Sequence, residues 1–336
     1  MGSPNAITNG FEFQYASAIY IFLKYAREIQ KIGLETGEDI EAILKNDQRI
    51  FAQAKSSNDG NALHIDDHTS TVVNSMKTLS KHQGNIRELI SIFNFHKPFG
   101  SKMDVQMNNS YRFSDLPTNV QDDLKNKTSK FNLDFDKVSF WLLQYEGNDK
   151  LKALEEETRE RLNGIYSLGS FRIKDLLDNW AKIFSLNASS KEVYVDANIL
   201  CGVLFGNIAG QISVEKLLST LEIDDITIEE SISCTFKSYF EKRDLTFQQF
   251  NSISADFLTY LNNNPIRDFN KNQVIKSFIN EYCVSKNIPT YISALFSEYP
   301  CDSKEEYKVT LFKVITLFCI QKKDLIKKIS EVFYGN

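Results

Sequence analysis

Three carboxylates crowd one short stretch, Glu35, Glu38 and Asp39, and a little further along come Gln53 and Lys55 with a single alanine between them. Carboxylates hold hard divalent cations, a bound cation acidifies water, and a nearby ammonium stabilises the charge that develops when a phosphodiester is attacked. Asp39 can supply the carboxylate, Gln53 a carbonyl oxygen and Lys55 the cation, while Glu35 or Glu38 adds negative charge. The competing interpretation is an ordinary cross-strand ion pair between Asp39 and Lys55, worth under ~1 kcal/mol. Which holds depends on whether the chain brings these groups onto one surface.

Alternation supplies the means. Ile40, Ala42 and Leu44 alternate with Asp39, Glu41 and Ile43, and Ile50, Ala52 and Ala54 alternate with Phe51, Gln53 and Lys55. The pattern predicts two strands joined through Asn46-Asp47-Gln48. A three-residue loop there sets Lys45 against Arg49, Glu41 against Gln53 and Asp39 against Lys55. All four site positions then share one face, about 5 Å apart across the pair and about 7 Å apart along a strand. A register slip of a single residue would separate them onto opposite faces.

Ahead of the strands, Phe11, Tyr15, Ala18, Ile19, Phe22, Leu23, Ala26 and Ile29 recur at helical spacing, with Gln14 near the start and Gly33 as the stop. A helix is expected over 67–82, bearing Lys77 and Lys81; Arg87, Lys97 and Lys102 follow. Against the single Glu88, these make a locally basic stretch: a charge run of this kind is ordinarily a solvated helix face, and beside a phosphodiester-cleaving centre Lys77, Lys81 and Arg87 are the expected DNA-phosphate contacts. His64 and His68 have the spacing of a metal pair but sit at a loop-to-helix junction. The run 87–95 reads as strand or helix, 117–125 as helix, 138–145 as the last core strand and 149–162 as a charged helix.

A domain boundary is expected at 165, giving domains 1–165 and 166–336. Beyond it, helical periodicity recurs over 171–184, 214–221, 228–240, 247–261, 272–284 and 307–320, and an amphipathic helix with a basic face closes the chain. The expected fold class is an α/β core, a mixed sheet flanked by helices, followed by a mainly α-helical C-terminal domain.

Composition bounds the function classes. Apolar residues are 42% and charged residues 25% of the 336, with a net charge of −5, which fits a globular protein and argues against a uniformly basic nucleic-acid coat. The five cysteines, Cys201, Cys234, Cys283, Cys301 and Cys319, form no CxxC pair and are expected to be reduced and buried. There is no signal-peptide pattern and no apolar run of membrane-spanning length, so a cytoplasmic protein without membrane contact is expected. Walker A, GxSxG and GxGxxG motifs are absent from the sequence.

Gly10-Phe11-Glu12-Phe13-Gln14, then Glu35, then Glu38-Asp39, then Gln53-Ala54-Lys55-Ser56-Ser57 together resemble the restriction-endonuclease-like, PD-(D/E)XK, double-stranded DNA nucleases of bacterial antiphage systems. That nuclease occurs in CBASS effectors and, in similar form, in the nuclease subunit of Lamassu-type systems. The likeness covers about the first 60 residues. It implies that Asp39 and Gln53 bind Mg²⁺ or Mn²⁺, that Lys55 is the catalytic lysine, and that Glu35 belongs to the catalytic set with Gln14 and Glu38 supporting. Gln53 stands where the superfamily usually has glutamate, and Glu38 where this family often has aspartate.

A helical rather than Rossmann-like C-terminal part favours the Lamassu-type subunit over a CBASS effector switched by a cyclic oligonucleotide. The implied partners are double-stranded DNA, an SMC-like ATPase, an accessory subunit and further copies of the chain. A non-catalytic DNA-binding or scaffold subunit with a decayed nuclease fold is the alternative from another class.

Overall fold

The computed structural model describes residues 4–56, 68–145, 151–165, 172–188, 194–209, 214–223, 232, 247–263, 271–285 and 305–335. Helix α1, Pro4–Lys24, leads into a meander of β1 (Ile29–Leu34), β2 (Ile40–Leu44) and β3 (Arg49–Lys55). Helix α2, Thr69–Leu79, crosses over to β4 (Ile86–Phe93), which runs parallel to β3. After β5 (Asn109–Arg112) and α3 (Thr118–Thr128), β6 (Val138–Leu142) joins β4 in parallel, and β5 pairs with β6 antiparallel. Two further helices, α4 (Lys152–Arg161) and α5 (Ile173–Ala188), precede β7 (Tyr194–Asp196), which pairs with β1. The mixed seven-stranded sheet has the order β5-β6-β4-β3-β2-β1-β7.

Its centre is buried on both faces. On one, Phe51, Leu89, Phe93, Val138, Phe140 and Leu142 pack against Val72, Met76 and Leu79 of α2 and Val120 and Leu124 of α3. The other face carries α1, which also contacts α4 and α5. There Phe22 of α1 meets the fully buried Trp180 of α5 edge to face at 5.5 Å.

Several expectations are corrected. The first helix stops at Lys24, and Ile29 and Gly33, expected to continue and to end it, belong to β1. Helical spacing persists by coincidence through Ala26 and Ile29; cross-strand pairing on both sides of β1 outweighs it. The run 87–95 resolves as strand β4. Strand β5 carried no apolar alternation, because Asn109-Ser110-Tyr111-Arg112 is a polar, largely exposed edge. Strand β6 is not the last to join, since β7 adds to the opposite end of the sheet.

The chain forms two compact units, residues 1–163 with 172–197, and 164–171 with 198–336. The boundary expected at 165 therefore shifts: α5 and β7 return to the first unit. Among the described residues the second unit holds only helices: α6 (Ala197–Ala209, whose first residue closes the first unit), α7 (Val214–Thr220), α8 (Phe247–Asn263), α9 (Lys271–Ser285), α10 (Glu305–Gln321) and α11 (Lys323–Phe333). Helix α10 buries Leu311, Phe312, Val314, Ile315, Leu317, Phe318 and Ile320, apolar on nearly every side, and touches α7, α8, α9 and α11. Such a helix belongs at the centre of a bundle. On α11, Leu325, Ile326, Ile329 and Phe333 are buried, so the apolar stripe of that basic helix is spent on packing.

Cys201 and Cys319 are buried, and burial pushes the Cys319 thiol well above its usual range. Cys234 and Cys301, and the helix expected over 228–240 apart from residue 232, lie outside the described residues, as does the side chain of Cys283. No helix among the described residues is long and apolar enough to cross a membrane.

Candidate active site at the ends of β2 and β3

The hairpin carrying Asp39, Gln53 and Lys55 has a three-residue loop, displaced by one position from the expected one. Leu44 N–H donates to the Gln48 carbonyl at 2.8 Å, so the loop is Lys45-Asn46-Asp47 rather than Asn46-Asp47-Gln48. A turn hydrogen bond from Asp47 N–H to Leu44 O and a left-handed Asp47, φ 61°, close it, and the Asn46 side chain accepts from Gln48 N–H. The register is accordingly Glu41 opposite Phe51 and Ile40 opposite Ala52. This corrects the expected pairing of Glu41 with Gln53 and of Asp39 with Lys55. Continued by one step, the ladder faces Asp39 to Gln53. Because the register moves by two residues, side-chain parity survives, and Asp39, Glu41, Gln53 and Lys55 still share a face.

On that face Asp39 Oδ2 accepts from the backbone N–H of Ala54 at 2.9 Å and lies 3.4 Å from Lys55 Nζ. The latter is long for a charge-assisted hydrogen bond, so the ammonium is held nearby without being locked. Gln53, 3% exposed, sits beside Ser91 of β4, whose hydroxyl shares a 2.7 Å hydrogen bond with Ser75 of α2.

The turn between β1 and β2 brings in the remaining acids. Glu35 adopts a left-handed conformation, φ 54°, and its N–H donates to the Asp39 carbonyl. A non-glycine residue held there costs of order 1 kcal/mol and is kept only where its surroundings enforce it. One enforcing contact comes from α1: Gln14 Nε2 donates to Glu35 Oε1 at 3.1 Å, leaving Gln14 Oε1 buried without a partner. Glu38 lies 3.6 Å from His82 Nε2, and the His82 ring stacks on Phe51.

Glu41 is nearly buried and fully engaged, accepting from Arg49, Thr36 and, at 2.8 Å, Tyr194 of β7. Burial, then the bond to Glu41, pushes the Tyr194 phenol above its usual range and keeps it a donor. Tyr194 reaches Glu41 by lying across Gly33, where a Cβ would stand 2.9 Å from the tyrosine ring and 2.7 Å from Thr36.

The structure thus brings Asp39, Gln53 and Lys55 onto one face, with Gln14 and Glu35 bonded to each other at the adjoining turn and Glu38 next to Asp39 in the chain. Lys81 neighbours His82, and Lys77 stands exposed in the last turn of α2. Arg87 is elsewhere: Lys55 pairs with Phe93, and Arg87 lies six residues upstream on β4, roughly 20 Å along the strand. His68 packs on Phe95, and His64 lies outside the described residues. The sequence reading missed His82, Ser75, Ser91 and Tyr194. Only Ser91 left a trace there, as a polar break in the apolar run Leu89-Ile90-Ser91-Ile92-Phe93.

Among the described residues, no three His, Cys, Asp or Glu side chains converge as a metal-ligating group. Asp39 Oδ1 and the Gln53 amide nevertheless make no hydrogen bond among the described residues. One free carboxylate oxygen and one amide oxygen fit Mg²⁺ or Mn²⁺, which keep several waters and draw further ligands from substrate phosphates; they do not fit a closed zinc or calcium cage. Gln53→Glu is expected to tighten Mn²⁺ binding. In EDTA its added buried charge should lower the melting temperature below wild type, and Mn²⁺ should restore it, as thermal denaturation with and without metal will read.

In comparisons with protein-family models, curated proteins and solved structures, nothing matches this chain.

Proposed function

We propose that the chain is a metal-dependent DNA endonuclease, its reactive centre formed by Asp39, Gln53 and Lys55. The observation that carries this reading is the meeting of Asp39 and Lys55 on the face that bears Gln53, with the Gln14–Glu35 bond joining α1 to the same turn. The mixed sheet flanked by helices, with its meander, crossover helix and parallel strand, is the expected α/β core, and supports this reading.

Asp39 and Gln53 would hold Mg²⁺ or Mn²⁺, which supplies an acidified water and neutralises phosphate charge when bound. Lys55 places its ammonium where a phosphoryl oxygen gains charge, and the Ala54 N–H keeps Asp39 oriented. Glu35, fixed by Gln14, adds negative potential beside the metal position. Exposed Lys77 and Lys81 offer phosphate contacts on the flank.

The biological setting that best suits this chemistry is the effector subunit of a bacterial antiphage complex of Lamassu type, restrained by an SMC-like ATPase and an accessory subunit and activated through oligomerisation. The all-helical described part of the second unit favours it over a cyclic-oligonucleotide-sensing CBASS effector. A second reading, a DNA-binding scaffold that no longer cleaves, draws support from the lack of a three-acid cluster among the described residues.

Supercoiled plasmid incubated with the purified chain in Mg²⁺, Mn²⁺ or EDTA separates the readings. Metal-dependent nicking, reduced about 10²–10³-fold by Lys55→Ala, is expected. Equal cleavage by wild type and Lys55→Ala would remove Lys55 from the site, and metal-independent DNA binding without cleavage would favour the scaffold.

A further inference from the structure

A second concavity lies in the first unit, away from Asp39 and Lys55, where β4 and β6 begin. Its volume is about 420 Å³, within the roughly 300–1,000 Å³ of small-molecule pockets. The cross-strand pairs Ser110 with Trp141 and Arg112 with Ser139 place the β5 and β6 lining on one sheet face, with Glu88 of β4 next to it. That is the face opposite Phe140 and Leu142, which are buried under α2 and α3.

The lining is polar and its charges balance, Arg87, Arg112 and Lys137 against Glu88, Asp115 and Asp136. They are not equally free. Glu88 accepts from the Tyr25 and Ser139 hydroxyls, Asp115 from Arg112 N–H and the Ser114 hydroxyl, and Lys137 is held by Asp134. Burial and then Glu88 hold the Tyr25 phenol far above its ordinary range, so this hydroxyl remains a donor. What is left is specific: neither Arg87 nor Arg112 makes a salt bridge among the described residues, and the Asp136 carboxylate has none either. Tyr25 and Trp141, rings parallel within 8°, form an aromatic wall.

Two unpaired guanidiniums call for an oxyanion, which arginine binds through paired N–H groups. Carboxylate oxygens close by call for hydroxyl donors. A stretch of DNA backbone satisfies the first demand but has no free sugar hydroxyls to meet the second. We propose that this pocket binds a phosphorylated sugar no larger than a mononucleotide, its phosphate on Arg87 and Arg112 and a hydroxyl on Asp136. The pocket would make the first unit responsive to a small metabolite at a point remote from the hairpin, and the proposal is independent of the nuclease reading.

Isothermal titration of the full chain in EDTA tests it with four probes: ribose 5-phosphate, AMP, adenosine and inorganic phosphate. Ribose 5-phosphate and AMP should bind one site, with adenosine and inorganic phosphate each at least about tenfold weaker. The double variant Arg87→Gln/Arg112→Gln should weaken both phosphorylated probes by more than about tenfold at an unchanged melting temperature, since both side chains are exposed. Lys55→Ala should bind like wild type. No binding of either phosphorylated probe, equal binding of inorganic phosphate or adenosine, or full affinity in the double variant would overturn the assignment. Weakened binding in Lys55→Ala would place the ligand at the hairpin instead.

Discussion

Asp39→Asn is expected to abolish metal-dependent plasmid cleavage while leaving the fold intact. The amide oxygen of the substituted side chain can still accept from Ala54 N–H, so the 2.9 Å bond that ties the start of β2 to β3 is retained. What disappears is the negative charge. Among the described residues, Asp39 is the only carboxylate of the hairpin face that keeps an oxygen without a protein partner, because Glu41 is consumed by Arg49, Thr36 and Tyr194. Two neutral amides, the new one and that of Gln53, bind a hard cation poorly. The loss of rate should reach at least the about 10²–10³-fold that removal of one transition-state donor costs, accompanied by loss of Mn²⁺ binding in a calorimeter. The lost ion pair with half-exposed Lys55 should change stability by less than about 1 kcal/mol. A variant that cleaves normally but melts early would make Asp39 and Lys55 a structural pair.

The largest stability effect is expected from Trp180→Ala. The indole is completely buried and meets Phe22 of α1 edge to face, on a helix that also packs against α4 and β1. Emptying a site of that size costs about 3–5 kcal/mol, the transferred surface plus the cavity left behind. For a unit of this size the melting temperature should fall by roughly 6–20 °C. Differential scanning calorimetry reads the transition directly. A change of only a degree or two would mean that α5 is peripheral to the first unit, and the boundary would return toward 165.

The hairpin shows how far local pattern reaches. Alternation in 40–44 and 49–55 identified both strands and the common face of Asp39, Gln53 and Lys55, because side-chain parity is written into every second residue. Register was not legible to the residue. Asn46-Asp47-Gln48 and Lys45-Asn46-Asp47 are both acceptable three-residue loops, and the Asn46 side chain with a left-handed Asp47 selected the second. The displaced loop moves the register by an even number, so the face survived although the partners changed.

Position along a strand was less legible still. Arg87 belongs to the same basic stretch as Lys77 and Lys81, yet β4 carries it to the far end of the sheet, where it borders the polar pocket. Charge runs in sequence do not reveal which end of an element they occupy once a crossover reverses the chain. Strand β7 was invisible for a related reason. Three residues, Tyr194-Val195-Asp196, have no periodicity of their own and become a strand only because β1 offers an unpaired edge.

By itself, then, the sequence determined the classes of structure, an α/β first part and a helical remainder, and the residue types able to do chemistry. These follow from hydrophobic period and side-chain identity, which are local properties. Tertiary structure alone decided that Ile29 and Gly33 belong to a strand, that residues 172–197 return to complete the first unit, and that Tyr194 crosses Gly33 to hold Glu41. Each of those depends on contacts between residues far apart in the chain, whose free energy no local pattern encodes.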